Sequence, residues 1–295
     1  FIGLVCVFEE ESMGVINYSA SKQILVVARG HPYPRDALAQ VFDGLSDYCW
    51  SLVEQPAAGR FFSAESVGDY SAIVCYDMPG IDFTVEKDAP RLIDPHEKFK
   101  ADMLAMLSQG MGMVFLHHSL AAWPAWDDYA DIVGGRFLYR PAYLNGQAWP
   151  DSGYRHDVRH TISIELDHPV TYGMPDSFSM VDELYLCPIF TSDIVPILVS
   201  DFSYLSENFH SAKLAVDGRM FQNEGWSHPK GSNIVGWIKH FRNSPIVYLQ
   251  GGDSESALLD PNFGQLVRNA VRWVSSSEAH DWARKAFDSE QSGNF

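Results

Sequence analysis

The stretch Gly112–Tyr139, GMVFLHHSLAAWPAWDDYADIVGGRFLY, runs from an apolar strand into two adjacent histidines and then into a helix carrying Trp123 and Trp126. A short apolar run that ends in polar residues before a helix marks a strand whose carboxyl end opens into the crevice of an open α/β sheet. The free N–H groups of the helix N-terminus face the same crevice. His117 and His118 therefore fall where such a fold puts its chemistry.

Upstream, strand and helix alternate. Gln23–Arg29 is a short apolar run that ends at Gly30-His31-Pro32, and Arg35–Tyr48 follows with helical spacing at Ala37, Val41, Leu45 and Tyr48. Ser71–Tyr76 reads as a buried strand ending in Asp77, and Pro95–Gln109 as an amphipathic helix stopped by Gly110. This alternation predicts a parallel sheet with helices on both faces. Downstream the pattern changes. Tyr139–Asp157 reads as a long aromatic loop. Strand-like runs then follow at Val158–Asp167, Met180–Cys187, Val195–Ser200, Ile234–Phe241 and Ile246–Gln250, before a closing helix at about Asn262–Ser275. Strands in succession without helices between them predict antiparallel additions to the sheet. The expected organisation is one mixed-sheet domain over 1–277, with 278–295 a polar tail or surface helix.

Four blocks, in order, give the chain a family resemblance. They are Leu116-His117-His118 with the later Trp, Tyr and Gly-Gly-x-Phe; Asp167–Pro175 (DHPVTYGMP); Phe178 with Val181–Tyr185 (VDELY); and Pro245–Tyr248 leading into Pro261-Asn262-Phe263 and Arg272-Trp273. The pattern spans roughly Gln23–Val274 and resembles the ThuA-like (trehalose utilisation) family, a branch of the class I glutamine amidotransferase-like fold. The resemblance implies a flavodoxin-like, class I glutamine amidotransferase-like α/β mixed sheet and an association with disaccharide and keto-sugar use. The amidotransferases carry a cysteine nucleophile at the elbow after the central strand. Here that elbow reads Leu116-His117-His118-Ser119 with no cysteine near it, which excludes glutamine hydrolysis through a thioester. Ser119 lacks the G-x-S-x-G frame of a serine nucleophile and reads as the cap of the following helix.

The histidine pair supports two chemistries: general acid–base catalysis near neutral pH, or metal ligation completed by His31 or a carboxylate from the second half. Strand alternation turns one of the two toward the crevice. Asp182-Glu183-Leu184-Tyr185 is the second constellation, with Asp182 and Leu184 on one strand face and Glu183 and Tyr185 on the other. It reads either as catalytic or as a carboxylate accepting loop hydrogen bonds, and the resemblance favours the catalytic role. His31 and Asp77 end strands at the edge that carries His117. Asp253, in Gln250-Gly251-Gly252-Asp253, stands where family members often carry a histidine. The aromatic segment Trp123, Trp126, Tyr129, Tyr139, Tyr143, Trp149 and Tyr154, with Arg140, suits the binding of sugars or aromatic rings. Trp226 and His228, in the loop Gly225-Trp226-Ser227-His228-Pro229, are further candidates to close over the same pocket, although the sequence does not fix where that loop lies.

Composition bounds the rest. Of 295 residues 46% are hydrophobic, and 38 acidic against 21 basic residues give a formal charge of −17, which opposes binding to nucleic acid or anionic membranes. No apolar run approaches the ~18 residues of a membrane span, and FIGLVCVF at the start reads as a buried strand. Cys6, Cys49, Cys75 and Cys187 lack CxxC spacing and read as reduced core residues, consistent with a cytoplasmic protein.

The expected function is acid–base chemistry of isomerase or lyase type on a carbohydrate or other polyhydroxylated or aromatic small molecule, with His117, His118, Glu183, Asp182 and Tyr185 as the chemical groups. His31, Asp77, Trp123, Trp126, Tyr129, Arg140, Tyr143 and Asp253 are the expected substrate contacts. The alternatives are a retro-aldol carbon–carbon lyase acting on an aromatic alcohol and a non-catalytic binding or assembly protein. The cofactor is none or a divalent metal. The partner is a small-molecule substrate, with homo-oligomerisation through exposed aromatics a further expectation.

Overall fold

The computed structural model describes residues 17–85 and 89–293; the FIGLVCVF strand and Cys6 lie outside the described residues. Five strands, Tyr48–Glu54, Lys22–Arg29, Ala72–Asp77, Met113–Leu116 and Ser244–Leu249, lie side by side in that order and pair in parallel. Ile234–Phe241, Val195–Ser200, Gly153–Ile164 and Ser177–Leu186 extend the sheet antiparallel, and His210–Ser211 pairs with Gly153–Ile164 to make ten strands among the described residues. The mixed sheet and most of its antiparallel second half match the sequence reading. The exception is the strand read as Ile246–Gln250, which pairs in parallel with Met113–Leu116 in place of joining the antiparallel additions, because it returns to the sheet beside the central strand.

The parallel strands are apolar on both faces because both faces are covered. Ile24, Val26 and Ala28 enter one core with Val74, Tyr76, Val114 and Leu116. Leu25 and Val27 enter the other with Ile73, Cys75, Met113 and Phe115. Helices Arg35–Asp43 and Pro261–Val274 supply the first core, and Glu97–Ser108 and Asp127–Val133 the second. Asp260 caps Pro261–Val274 by accepting from the N–H groups of Asn262 and Phe263, with proline in the first turn where no hydrogen bond is lost. Ser277–Gly293 is a helix that buries Ala279 and Ala283.

Several boundaries differ from the sequence reading. The helix read as Arg35–Tyr48 ends at Asp43, and Tyr48 opens a strand, Tyr48–Glu54. Leu45 and Tyr48 are buried as the spacing required, but through two turns and a strand. The loop read as Tyr139–Asp157 contains a hairpin, Ala142–Leu144 with Gln147–Trp149, and the start of Gly153–Ile164. Trp123 and Trp126 precede the helix Asp127–Val133 instead of lying on it, because a 3-10 turn, His117–Ala121, follows the central strand. Ser119 does not cap that turn; its hydroxyl donates to the carbonyl of Cys75 at 2.7 Å, tying the turn to the neighbouring strand.

Candidate active site

In a parallel sheet the carboxyl ends of all strands meet at one edge, which brings together the residues after Arg29, Asp77, Leu116 and Leu249. His117 sits at the elbow with φ 40°, a left-handed conformation unusual for a residue with a side chain and a mark of functional sites. Its carbonyl accepts from the Tyr248 hydroxyl at 3.0 Å, and its Nδ1–H donates to the carbonyl of Gln250. The ring is thus held by the adjacent strand, with Nε2 directed away from the elbow.

What Nε2 meets comes from the far side of the sheet. Ser177–Leu186 and Met113–Leu116 stand five strand spacings apart, roughly 24 Å in a flat sheet at ~4.8 Å each, yet Glu183 Oε2 lies 3.0 Å and the Tyr185 hydroxyl 2.9 Å from His117 Nε2. The bend is visible in the register. Asp182 pairs with Val158 and Leu184 with Arg155, so one extra residue on Gly153–Ile164 opposes Glu183. Asp157, at this bulge, has φ 54°. A β-bulge adds twist and re-aims side chains, and this one folds the ribbon's end over the parallel strands, carrying His156, Glu183 and Tyr185 to His117.

The result is a cluster of imidazoles and carboxylates. Glu183 sits between His117 Nε2 and His156 Nε2, the latter 3.3 Å from Oε1, while Asp253 lies 3.5 Å from His117 Nε2 and 3.9 Å from His156 Nδ1. Burial pulls the His117 pKa down, but the hydrogen bond to Glu183 and the charges of Asp253, Glu183 and Asp182 outweigh it and raise it to about 9. Burial raises the Glu183 pKa, and the bond to and charge of His117, with His156 and Tyr185, more than reverse this, so it lies below the ordinary carboxylate value. His117 and Glu183 therefore form a buried imidazolium–carboxylate pair at neutral pH. Burial, with the charges of His117 and His31, drives the His118 pKa well below its ordinary value, which keeps that ring neutral.

Asp182 takes the other role weighed for its constellation. It is buried and accepts from the backbone N–H groups of Gly252 and Asp253 at 2.6 and 3.1 Å, fixing the turn that presents Asp253. Gly252 has φ 107°, and a Cβ there would press on Phe263, so the turn closes this tightly only with glycine.

A cavity of about 340 Å³ opens onto the cluster, lined at its polar end by His31, His156, Glu183 and Tyr185, with Tyr154 nearby. Its walls are Met78, Phe83, Phe137, Tyr139, Ala212, Ala215, Val216 and Met220. Neither His117 nor His118 lines it; both are fully buried behind the lining residues.

Of the residues singled out in the sequence, the structure brings together His31, His117, His118, Glu183, Tyr185 and Asp253, with Asp182 behind them. Tyr139 and Tyr154, from the aromatic segment, line the cavity, and the remaining residues stand elsewhere. Asp77 is buried, accepts from Gln55 Nε2 at 2.8 Å and does not line the cavity. Trp126 and Tyr129 fill the second core, and Trp123 packs on Phe99 with ring centroids 5.1 Å apart. Arg140 donates to the carbonyl of Pro90, and Tyr143 is exposed on the hairpin. Trp226 donates to the carbonyl of Asp151, and neither it nor His228 lines the cavity. The sequence reading missed His156, Phe137 and the Met78, Phe83 and Met220 walls. His156 lies beside Tyr154 in a segment flagged only for its aromatics, and nothing in its spacing tied it to Glu183.

These features define an open mixed-sheet α/β protein whose central-strand elbow carries a histidine pair. The family model for trehalose utilisation, ThuA, matches residues 34–274, and the chain belongs to that family. Solved structures agree at the level of fold. A ThuA-like protein from Parabacteroides merdae superposes with a TM-score of 0.58 at 13% identity, covering 86% of this chain and 90% of that one. A ThuA-like protein from Bacteroides uniformis gives 0.58 at 16% identity, covering 88% and 93%. A cytoplasmic protein from Salmonella typhimurium gives 0.50 at 9% identity, covering 86% and 100%. No curated protein matches the sequence. Among the described residues no helix is long and apolar enough to cross a membrane.

Proposed function

We propose that the protein is a proton-transfer enzyme of isomerase or carbon–carbon lyase type, acting on a small sugar-derived molecule with a carbonyl beside a hydroxyl-bearing carbon. The observation that carries this reading is Glu183, a carboxylate presented to the cavity while held between the imidazoles of His117 and His156. Glu183 takes the proton, from carbon in an isomerisation or from a hydroxyl in a retro-aldol cleavage. In an isomerisation the C–H pair forms the double bond of an enediol while the carbonyl oxygen takes a proton from Tyr185 or His156. Glu183 then returns its proton to the neighbouring carbon as the second hydroxyl gives its proton back to that group. In a retro-aldol cleavage the hydroxyl sits one carbon further from the carbonyl. Its O–H pair forms a new carbonyl, the carbon–carbon bond breaks, and that pair moves to the remaining carbonyl oxygen as an enolate, which takes a proton from Tyr185 or His156. His117 touches Glu183 and Tyr185 but not the cavity, so it is a positioning residue whose positive charge keeps Glu183 ionised.

The family's association with trehalose utilisation supports a carbohydrate substrate. A second reading, a retro-aldol lyase acting on an aromatic alcohol, is supported by the cavity walls. Met78, Phe83, Phe137, Tyr139 and Met220 offer surface for a flat ring and few groups for a polyol. Cys49, Cys75 and Cys187 are free thiols, which suits a cytoplasmic protein.

The test is incubation in deuterium oxide with keto-disaccharides and with aryl β-hydroxy ketones, followed by NMR. Deuterium incorporation or cleavage by the wild type that is lost in Glu183→Gln supports proton transfer, and the substrate that reacts decides between the two readings. A compound that raises the melting temperature but undergoes neither exchange nor cleavage makes the protein a binding module and overturns the proposal.

A further inference from the structure

Beside the proton-transfer residues lies a second set of donors, His31 and His118, which share Asp253 with the cluster. His31 follows the strand Lys22–Arg29, His118 follows Met113–Leu116, and Asp253 stands on the turn after Ser244–Leu249, so the parallel register delivers all three to one edge. One ligand atom from each lies within 4.8 Å of the others. Nitrogen and oxygen donors around a first-row divalent ion at about 2.0–2.2 Å are themselves separated by roughly 3 to 4 Å. Small side-chain rotations close that difference.

Each donor is prepared in a different way. His31 donates Nδ1–H to the carbonyl of Pro32 at 2.8 Å, which fixes the tautomer and leaves the Nε2 lone pair available. Metal-ligating histidines are commonly oriented by such a bond to a backbone carbonyl. His118 is fully buried between the rings of His31 and Tyr76, at 4.8 and 4.4 Å between centroids, and its Nδ1 has no hydrogen-bond partner. A buried polar atom without a partner is costly, and such atoms in native proteins often mark a site for an ion or water. Asp253 is held through its backbone by Asp182, which leaves its carboxylate to the cluster.

We infer that His31, His118 and Asp253 form a binding site for a first-row divalent cation, a two-imidazole, one-carboxylate set with coordination positions left over for water or a ligand oxygen. His31 also lines the cavity, so a cation held there faces the molecule that enters. A second trio, His117, Glu183 and Asp253, also lies within 4.8 Å, but there His117 Nε2 is already taken by Glu183 at 3.0 Å and the Tyr185 hydroxyl at 2.9 Å. The site does not depend on the proton-transfer reading, because cation uptake is measured without any substrate.

The test uses the full chain after chelator treatment, equilibrated separately with zinc chloride and manganese chloride, with bound metal measured by mass spectrometry and affinity by calorimetry. One equivalent of at least one of the two ions is expected. His31→Gln and Asp253→Asn are expected to weaken that binding by at least roughly ten-fold, the lower end of what losing even an outer-shell partner costs. Glu183→Gln is expected to retain the equivalent. Thermal melts establish that each variant is folded; His31 is only half-buried, so His31→Gln decides the matter if Asp253→Asn does not fold. The absence of stoichiometric uptake of either ion overturns the inference, as does unchanged affinity in His31→Gln. Loss in Glu183→Gln with retention in His31→Gln also overturns it, placing the cation in the other trio.

Discussion

Asp77 separates a binding role from a structural one, and its environment fixes the size of the effect. The carboxyl ends the strand Ala72–Asp77, is 3% exposed and has the Gln55 side-chain amide at 2.8 Å. Burial raises its pKa from the ordinary 3.8 to about 7, against the lowering effect of the Gln55 bond. The folded state thus binds the Asp77 proton more tightly than the unfolded state. Stability from this group is fully present below pH 3.8 and is lost as pH rises to about 7. A displacement of that size corresponds to about 4 kcal/mol. Asp77→Asn removes the titration and keeps the shape, while adding a buried amide donor whose lack of a partner costs about 1–3 kcal/mol. The variant should be less stable than the wild type near pH 4. The difference should then narrow and reverse as pH rises to 8, with a total swing of about 4 kcal/mol. Urea unfolding of both proteins at several pH values measures the swing directly, and comparing the two curves cancels every other titrating group. A stability difference that stays constant with pH would refute the assignment of Asp77 as a buried, structurally held carboxyl. Loss of substrate affinity in Asp77→Asn without the swing would return it to the binding site.

Three further outcomes follow from the same geometry. Glu183→Gln should lower kcat/KM by about 10²- to 10⁴-fold, the usual contribution of a positioned general base, and steady-state kinetics on the substrate found by exchange would check it. Asp182→Ala orphans the buried N–H of Gly252 and the part-buried N–H of Asp253 and should destabilise the fold by about 1–3 kcal/mol or somewhat more in denaturant titration; a loss below about 1 kcal/mol would mean that the turn finds other acceptors. At the bulge, Asp157→Gly should be neutral or slightly stabilising because φ 54° suits glycine. Asp157→Val should destabilise by about 1–2 kcal/mol and reduce activity, since a β-branched residue resists that conformation and the ribbon that carries Glu183 would straighten.

The parts of this molecule legible in the chain are those whose cause is local. The run Met113–Leu116 and its abrupt change to His117-His118 mark a buried strand and its end, because apolar periodicity and polar termination are properties of consecutive residues. Val195–Ser200 and Ile234–Phe241 were bounded to the residue for the same reason. Where the local signal was ambiguous it misled: Ala37, Val41, Leu45 and Tyr48 are all buried, but the chain turns at Gly44, and burial spacing alone does not distinguish one long helix from a helix followed by a strand. Likewise the aromatic density after Ala122 was real, but Trp126 and Tyr129 spend it on the core, while Tyr139 and Tyr154 face the cavity.

The sequence by itself determined the alternating first half, the antiparallel second half, the family, and the exclusion of a thiol nucleophile at the elbow. It also placed His31 and Asp77 at the edge of His117, since parallel strands have only one carboxyl edge to share; that Asp253 joins this edge follows from the parallel pairing of Ser244–Leu249. Only the tertiary structure decided that Glu183, Tyr185 and His156 reach that edge. Their strands lie far across the sheet from Met113–Leu116, and the register between is irregular at the extra residue opposite Glu183, where Asp157 is left-handed, and again between Val195–Ser200 and Ile234–Phe241. A one-residue bulge changes no composition and little periodicity, yet it sets the curvature of the ribbon. The distance from Glu183 to His117 therefore depends on geometry accumulated over many strands, which no pattern of neighbouring residues encodes.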